Sequence, residues 1–116
     1  MTEKLIRQGK DGRTEVAVLI SHGFGAGWST WNRECEEALL FEKKLVECVL
    51  AANGDEDAVR DGVTQILETL GLEDVYVGGC DGLNVHWVAE GASFIVHEYD
   101  GSESISFKDS FSWVTA

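Results

Sequence analysis

The sequence predicts an α+β fold, an antiparallel sheet of five or six strands with two helices packed on one face. Apolar runs of strand length lie near both ends of the chain. Two stretches between them carry apolar residues at steps of three and four, the spacing of an amphipathic helix. The elements therefore follow the order β-β-α-α-β-β-β-β, in one globular domain of residues 1–116 whose last segment, 108–116, we expect to be a loose tail.

Two strands are predicted near the N-terminus, on either side of a glycine-containing turn. Residues 4–8 form a short strand, and residues 13–20 form its antiparallel partner. Both faces of the second strand are apolar, so we expect it to be central in the sheet.

The two helices are predicted from their end signals as well as from their periodicity. Asn32 is expected to cap the first helix, and Gly54 to end it in the left-handed conformation. Asp55 or Asp57 caps the second helix, which Gly71 ends. The chain contains no proline, so glycine and asparagine must supply the helix stops.

The C-terminal part of the chain predicts four short strands, the last three of them a meander. Its turns are centred on Gly91-Ala92 and on Asp100-Gly101. These turns set the register, with His86 opposite His97 and Val96 opposite Ile105. The predicted strands are residues 75–77, 83–88, 93–99 and 102–107.

This register sorts the side chains of the meander onto two faces. We expect His86 to lie on the face opposite Trp87, which belongs to the core. The polar face is interpreted as a solvated surface, a ligand or oligomer surface, or a metal site that would need His22 or Asp81 as a further ligand. The core face carries Val85, Trp87, Phe94, Val96, Ile105 and Phe107. The polar face carries Asn84, His86, His97, Tyr99, Ser104 and Ser106.

The charge of the chain excludes some classes of partner. Nine basic and 21 acidic residues give a net charge of −12, which repels phosphate backbones, so we expect no direct nucleic-acid binding. No apolar run reaches the ~20 residues that span a bilayer, and residues 1–4 lack a signal-peptide core, so we expect neither membrane insertion nor secretion. The excess of acid serves solubility, or imitates nucleic acid toward a basic groove on a host protein.

Reactive groups do not assemble into a recognisable catalytic pattern. No nucleophile with an identifiable base can be found, so we predict no catalytic residue, no metal and no cofactor, and a small enzyme remains only the third interpretation of function. The cysteines are odd in number and include no C-x-x-C pair, so they are expected to be small core residues rather than a disulfide framework. They are Cys35, Cys48 and Cys80.

The most distinctive segment of the chain runs from Gly23 to Asn32 and reads GFGAGWSTWN. It is interpreted in three ways. It is a tight connection whose tryptophans close one end of the core, or a ligand loop whose backbone N–H groups face an anion while an indole stacks on a flat ring. Residues 21–25 also resemble the oxyanion-hole loop of α/β-hydrolases, but the chain has no G-x-S-x-G elbow and is too short for that fold.

The ligand-loop interpretation assigns different roles to the two tryptophans. Trp31, next to the helix start, is expected to be the more buried, and Trp28 the more exposed and available for stacking. Arg33 would neutralise a phosphate, and the glycine-rich residues 78–82 would add backbone donors. The predicted ligand-binding residues are Gly23, Gly25, Gly27, Trp28, Ser29, Asn32, Arg33, His86, His97 and Tyr99.

Two further motifs accompany this segment, LLF at residues 39–41 and EYDGSESI at residues 98–105. With GFGAGWSTWN they make the chain, from about Val16 to Ile105, similar to a group of small uncharacterised bacteriophage and prophage proteins. The resemblance implies a phage-related origin and a location in the cytoplasm of a bacterial host.

These observations favour a phage-type, non-enzymatic binding protein that acts in counter-defence. It would bind a small nucleotide-like ligand through its glycine- and tryptophan-rich loops. The alternative is an acidic inhibitor that binds a host protein directly by charge mimicry. The expected partner is therefore a small molecule or a host protein, and formation of a homo-oligomer is left open.

Overall fold

The computed structural model describes residues 2–9, 12–22, 27–72, 74–78, 80–99 and 101–107. Within these residues the chain is an α+β protein with five strands and three α-helices, joined in places by short 3-10 turns. The strands are β1 (Ile6–Gln8), β2 (Thr14–Ser21), β3 (Leu83–Ala89), β4 (Phe94–Tyr99) and β5 (Ser102–Phe107). The helices are α1 (Glu36–Phe41), α2 (Lys43–Ala52) and α3 (Glu56–Thr69). The predicted tail, residues 108–116, lies outside the described residues.

The strands form two antiparallel sheets rather than the single sheet predicted from the sequence. One sheet has the order β1-β2-β3, and the other is the β4-β5 hairpin. The fold class is therefore confirmed, but the prediction of five or six strands in one sheet is wrong. In the described part of the chain no helix is long and apolar enough to cross a membrane.

Strand β2 is central in the larger sheet, as predicted. It pairs with β1 through Ile6 and Val16, and with β3 through Ala17 and Trp87. Its residues from Val16 to Ser21 are all buried, because both faces of the strand are covered. The apolar run on both faces of β2 is thus explained by its position.

The two faces of this sheet pack against different parts of the chain. Ala17 and Leu19 of β2 belong to a cluster that includes buried residues of α2 and α3, such as Val46 and Val63. Val18 and Ile20 point the other way, into a cluster with Leu40 of α1 and Val96 of β4. The molecule therefore has α2 and α3 on one face of the sheet, and the β4-β5 hairpin together with Leu40 of α1 on the other.

The predicted register is correct between β4 and β5 and wrong between β3 and β4. The pairs Val96–Ile105 and His97–Ser104 are confirmed, because the short turn that contains Gly101 is local and sets them. The predicted pairing of β3 with β4 is wrong: His86 lies opposite Val18, not His97.

Burial accounts for this change of partner. If β4 extended the sheet beside β3, the apolar side chains of β2 on that face would stay in water, at a cost of about 1.5–3 kcal/mol for each large one. Instead the chain bends at Gly91, whose φ is 85°, and the hairpin covers them. Trp87 and Val96, predicted to share a core face, consequently lie in separate clusters.

The helix ends follow the sequence signals closely. Asp55 caps α3, with its carboxylate accepting from the N–H groups of Asp57 and Ala58. Gly71, with φ of 75°, follows the end of α3, and the N–H of Leu72 returns to the carbonyl of Leu67, as in a Schellman motif.

Two predicted element boundaries need correction. Helix α2 ends at Ala52 with Asn53 in the left-handed conformation, one residue before the predicted stop at Gly54. The first predicted helix is also divided into α1 and α2 at Glu42, close to Phe41, where the apolar pattern permits a break; the backbone of Glu42 forms a bridge with Lys4. The predicted strand at residues 75–77 is absent from the described structure, because the side chain of Asn32 bonds the backbone of Tyr76 in place of a neighbouring strand.

The cysteines are reduced thiols that serve in packing, as predicted. Cys80 is buried in the cluster beneath the helices, and Cys35 and Cys48 pack against the same cluster. Burial raises the pKa of the Cys48 thiol. Its sulfur lies against Gly62 of α3, where even a Cβ atom would overlap with it.

Candidate functional site

The tryptophan-rich segment is organised around a buried carboxylate that the chain itself provides. Glu103 of β5 is only 1% exposed. Its Oε2 accepts from the backbone N–H of Trp28 at 2.8 Å and from that of Thr30 at 3.0 Å, and from the Thr30 hydroxyl at 2.6 Å. Its Oε1 accepts from the N–H of Ser21 at 2.9 Å. Four donors thus offset the cost of burying the carboxylate.

In this arrangement the predicted anion-binding loop binds an anionic group of the protein itself. Backbone donors in the segment do point at an anionic group, as the glycine pattern suggests. That group is Glu103, which lies 75 residues from Trp28 in sequence. Among the described residues, the N–H groups of Trp28 and Thr30 are therefore already used within the protein.

The two tryptophans have the opposite burial from that predicted. Trp28 is fully buried, and its indole Nε1 donates to the carbonyl of Leu39 at 2.8 Å. Trp31 is 42% exposed. The prediction was wrong because the contact with Glu103 fixes the backbone of Trp28 and its indole is satisfied inside the core, which proximity to a helix start does not reveal.

Trp31 stacks on a second exposed aromatic ring. The ring centroids of Trp31 and Tyr76 lie 5.6 Å apart, with 21° between the ring planes. Tyr76 is 52% exposed, so the pair forms an aromatic surface in contact with solvent. The indole Nε1 of Trp31 also donates to Oε1 of Glu98 at 3.2 Å, which links the pair to β4.

Asn32 fixes the position of Tyr76 rather than capping a helix. Its side-chain oxygen accepts from the N–H of Tyr76 at 2.8 Å, and its Nδ2 donates to the carbonyl of Tyr76 at 3.0 Å and to that of Trp28 at 2.9 Å. No side-chain capping bond is made by Asn32, which lies between two 3-10 turns. The Asn32 amide thus satisfies the backbone of Tyr76 in place of a neighbouring strand, which is why the predicted strand at 75–77 does not form.

A groove of about 380 Å³ lies beside Trp31. Its charged side chains are Arg33, Glu34 and Asp74, and Leu72 and Val75 are among its apolar ones. Arg33 is exposed and forms an ion pair with Glu36 on the next turn. A pair that exposed contributes little to stability, so the guanidinium can exchange Glu36 for a ligand at small cost.

The histidines come together in an unpredicted combination. His22, directly after β2, and His86, within β3, place their Nε2 atoms 2.7 Å apart. Burial, and secondarily the proximity of His22, lowers the pKa of His86 below its ordinary value. The β2–β3 ladder, which pairs Ile20 with Asn84, brings these two rings together.

Comparisons with protein-family models, curated proteins and solved structures found no match.

The remaining predicted site residues do not form one surface. His97 and Tyr99 are exposed on the hairpin, away from the ladder that holds His86. Gly27 is buried, and a Cβ there would lie 2.6 Å from the Thr30 hydroxyl and from the Trp31 ring. Ser29 is also buried, and its hydroxyl has no hydrogen-bond partner in the described part of the chain. Gly23 and Gly25 lie outside the described residues.

The groove beside Trp31 is therefore the best candidate site, although only some of the predicted ligand-binding residues line it. Of the predicted residues, Asn32 and Arg33 line it. Tyr76 was missed as a ligand residue, and Trp31 was predicted to be the more buried tryptophan instead of the exposed one. The sequence signal for Trp31 was its place in the motif, but no local signal indicates that Tyr76, which lies 44 residues after Asn32, stacks on it.

Proposed function

We propose that this protein is a phage-type, non-enzymatic binding protein that holds a small nucleotide-like ligand with its flat ring stacked at Trp31. The observation that supports this is the exposed Trp31–Tyr76 pair beside a groove of about 380 Å³. Stacking on an exposed aromatic side chain contributes about 1–3 kcal/mol for each base. Capture of such a ligand in a bacterial host would withdraw it from a defence response.

Preorganisation of the aromatic pair supports this function. The Asn32 amide holds the backbone of Tyr76 through two hydrogen bonds, and the Trp31 indole is held by Glu98. Rings that are already fixed lose little conformational entropy when a ligand binds. An exposed aromatic residue without such supports would be a weaker candidate.

The charges of the groove restrict the ligand to few phosphates. Arg33 provides one positive charge, while Glu34 and Asp74 provide two negative charges. The net charge of −12 adds long-range repulsion toward polyanions. We therefore expect a nucleoside monophosphate or a similarly charged ligand to bind more tightly than a triphosphate, with the phosphate at Arg33 and not at the N–H groups that Glu103 occupies.

The direct test is to denature protein purified from bacteria and to identify any released small molecule by mass spectrometry. Binding of nucleosides and nucleoside monophosphates is then measured by calorimetry on the ligand-free protein. Trp31→Ala is expected to weaken binding by about tenfold or more, as the loss of stacking requires. Tyr99→Ala removes an aromatic residue that is 80% exposed and does not line the groove, and serves as the matched control.

The proposal fails if Trp31→Ala binds every ligand found as tightly as the unaltered protein does. It also fails if Tyr99→Ala weakens binding to the same extent, because the effect would then not belong to the groove.

A second candidate function is direct inhibition of a host protein by charge mimicry. The observation that favours it is the acidic surface of α3, where the carboxylates of Asp55, Glu56, Asp57, Asp61 and Glu68 are all exposed. Between Arg33 and Thr69 the chain has ten acidic and four basic residues. Such a surface would bind a basic groove with a strong dependence on salt.

The two functions make opposite predictions for the same variants. If mimicry operates, Asp57→Lys combined with Asp61→Lys abolishes capture of the host protein, and Trp31→Ala leaves it intact. Binding that does not change with salt concentration contradicts mimicry.

A further inference from the structure

Neither His22 nor His86 lines the groove beside Trp31, so this pair is a separate feature of the surface. His86 is held in the β2–β3 ladder opposite Val18. His22 is fixed by its backbone, whose N–H donates to the carbonyl of Gly82 at 3.0 Å and whose carbonyl accepts from the Ser102 hydroxyl at 3.1 Å. The two rings are thus brought together by backbone contacts on both sides, with 4.9 Å between their centroids.

The separation of 2.7 Å between the two Nε2 atoms requires one of them to carry a proton and the other to offer a lone pair. If the donor ring moves its proton from Nε2 to Nδ1, each Nε2 atom offers a lone pair, and the two lone pairs face each other. A neutral imidazole with a lone pair on Nε2 is the form in which histidine binds metals. For a neutral pair this tautomer change releases no proton.

We propose that His22 and His86 form a two-histidine site for a late first-row divalent cation such as Zn²⁺ or Ni²⁺. With metal–nitrogen bonds of about 2.0–2.1 Å and a tetrahedral angle, the two Nε2 atoms must lie about 3.3 Å apart. The two Nε2 atoms must therefore move apart by about 0.6 Å. The rings, which now meet nearly end to end, must also tilt so that both lone pairs face the ion. His22 is exposed and lies outside the strand, so a change of its side-chain torsions provides both movements.

Water fills the other coordination positions of the ion. The described residues contain no group of three or more His, Cys, Asp or Glu side chains able to hold a metal. The site is consequently weaker than a structural zinc site with four protein ligands, and it stays open to an exchangeable ligand. The net charge of −12 attracts any cation, but only imidazole ligation prefers Zn²⁺ or Ni²⁺ to Mg²⁺ or Ca²⁺.

The test is titration of the purified protein with ZnCl₂ and with NiCl₂ by calorimetry, together with NMR of ¹⁵N-labelled histidine during the Zn²⁺ titration. We expect one ion per chain, and a shift of the Nε2 signals of His22 and His86. His22→Ala and His86→Ala should each weaken binding at least about tenfold, since a single imidazole remains. His97→Ala removes the third histidine, which is exposed on the hairpin, and should leave the affinity within about twofold as the matched control.

Several results would overturn this proposal. One is equal binding of Zn²⁺ and Mg²⁺, which would indicate diffuse attraction to the acidic surface. Others are full affinity in His22→Ala, and loss of binding in Cys35→Ser or Cys48→Ser instead of the histidine variants. Thermal melting without metal is measured for each variant; if His86→Ala does not fold, His22→Ala decides the question, because its side chain is exposed.

Discussion

The backbone N–H of Trp28 donates to Oε2 of Glu103 at 2.8 Å, across 75 residues of sequence. This bond joins the segment after β2 to the last strand, and it places Trp28 in the core and leaves Trp31 outside. The arrangement of the candidate site therefore depends on a carboxylate that does not itself line the groove.

Replacing Glu103 is expected to destabilise the protein strongly. In Glu103→Gln the amide has one acceptor oxygen in place of two. Its NH₂ group is a donor, and it would face backbone N–H groups that are also donors. Each buried donor left without a partner costs about 1–3 kcal/mol, so we expect a loss of about 3 kcal/mol or more from the free energy of unfolding. Urea denaturation measures it, with the exposed Glu90→Gln as control. A Glu103→Gln protein as stable as the unaltered chain would contradict this role.

The two tryptophans are expected to differ in their effect on stability. Trp28→Ala removes a fully buried indole and should cost about 3–5 kcal/mol. Trp31→Ala, at a side chain that is 42% exposed, should cost less than half as much. Thermal melting and urea denaturation of both variants check this order. Equal losses of stability would mean that Trp31 is also part of the core structure. Weaker ligand binding by Trp31→Ala could not then be assigned to the loss of stacking.

The contact between Gly62 and Cys48 predicts that the effect of Gly62→Ala on stability changes sign when Cys48 is replaced by alanine. Gly62→Ala alone should destabilise, because its Cβ overlaps with the Cys48 sulfur. In a Cys48→Ala background the overlap is gone, and the same substitution should stabilise α3 by about 0.5–1 kcal/mol through its helix propensity. The measurement is the free energy of unfolding of the four proteins. Stabilisation by Gly62→Ala in both backgrounds would show that α2 and α3 do not pack this closely.

Arg33 is expected to affect phosphate recognition without affecting stability. Arg33→Gln should weaken binding of a nucleoside monophosphate, and leave binding of the corresponding nucleoside unchanged. Arg60→Gln is the matched control, since Arg60 is also exposed and also pairs with an acid three residues away, Asp57. If both variants weaken binding equally, the effect comes from net charge and not from a contact in the groove.

The lowered pKa of His86 predicts that stability decreases in acid. In the unfolded chain this ring takes up a proton near its ordinary pKa of 6.5, whereas in the folded protein it does so only at lower pH. Between those two values the unfolded state binds more protons, so the free energy of unfolding falls as the pH falls below about 6.5. His86→Gln should flatten this part of the profile, measured with EDTA present, and His97→Gln should not. An unchanged profile in His86→Gln would assign the dependence to other groups.

Local signals predicted the parts of the fold that are decided locally. The cap at Asp55, the stop at Gly71 and the β4–β5 register all depend on residues within a few positions of one another. The central position of β2 also followed, because an apolar run on both faces requires cover on both faces.

The errors have a common physical origin in contacts between distant segments. The turn at Gly91 is compatible with either a hairpin or a bend out of the sheet, and burial of the second face of β2 decides between them. Asn32 has the properties of a helix cap, but the backbone of Tyr76 competes for its amide. For the candidate site, the motif itself was conspicuous, whereas the partner that determines which tryptophan is exposed is the distant Glu103.

The bond between Trp28 and Glu103 also has a consequence for synthesis of the chain. A ribosome makes Trp28 75 residues before it makes Glu103, so the donors at Trp28 and Thr30 have no carboxylate partner while the chain between them is being made. Long-range contacts of this kind slow folding because a large loop must close before they form. The segment that exposes Trp31 can thus reach its final arrangement only after translation has passed residue 103.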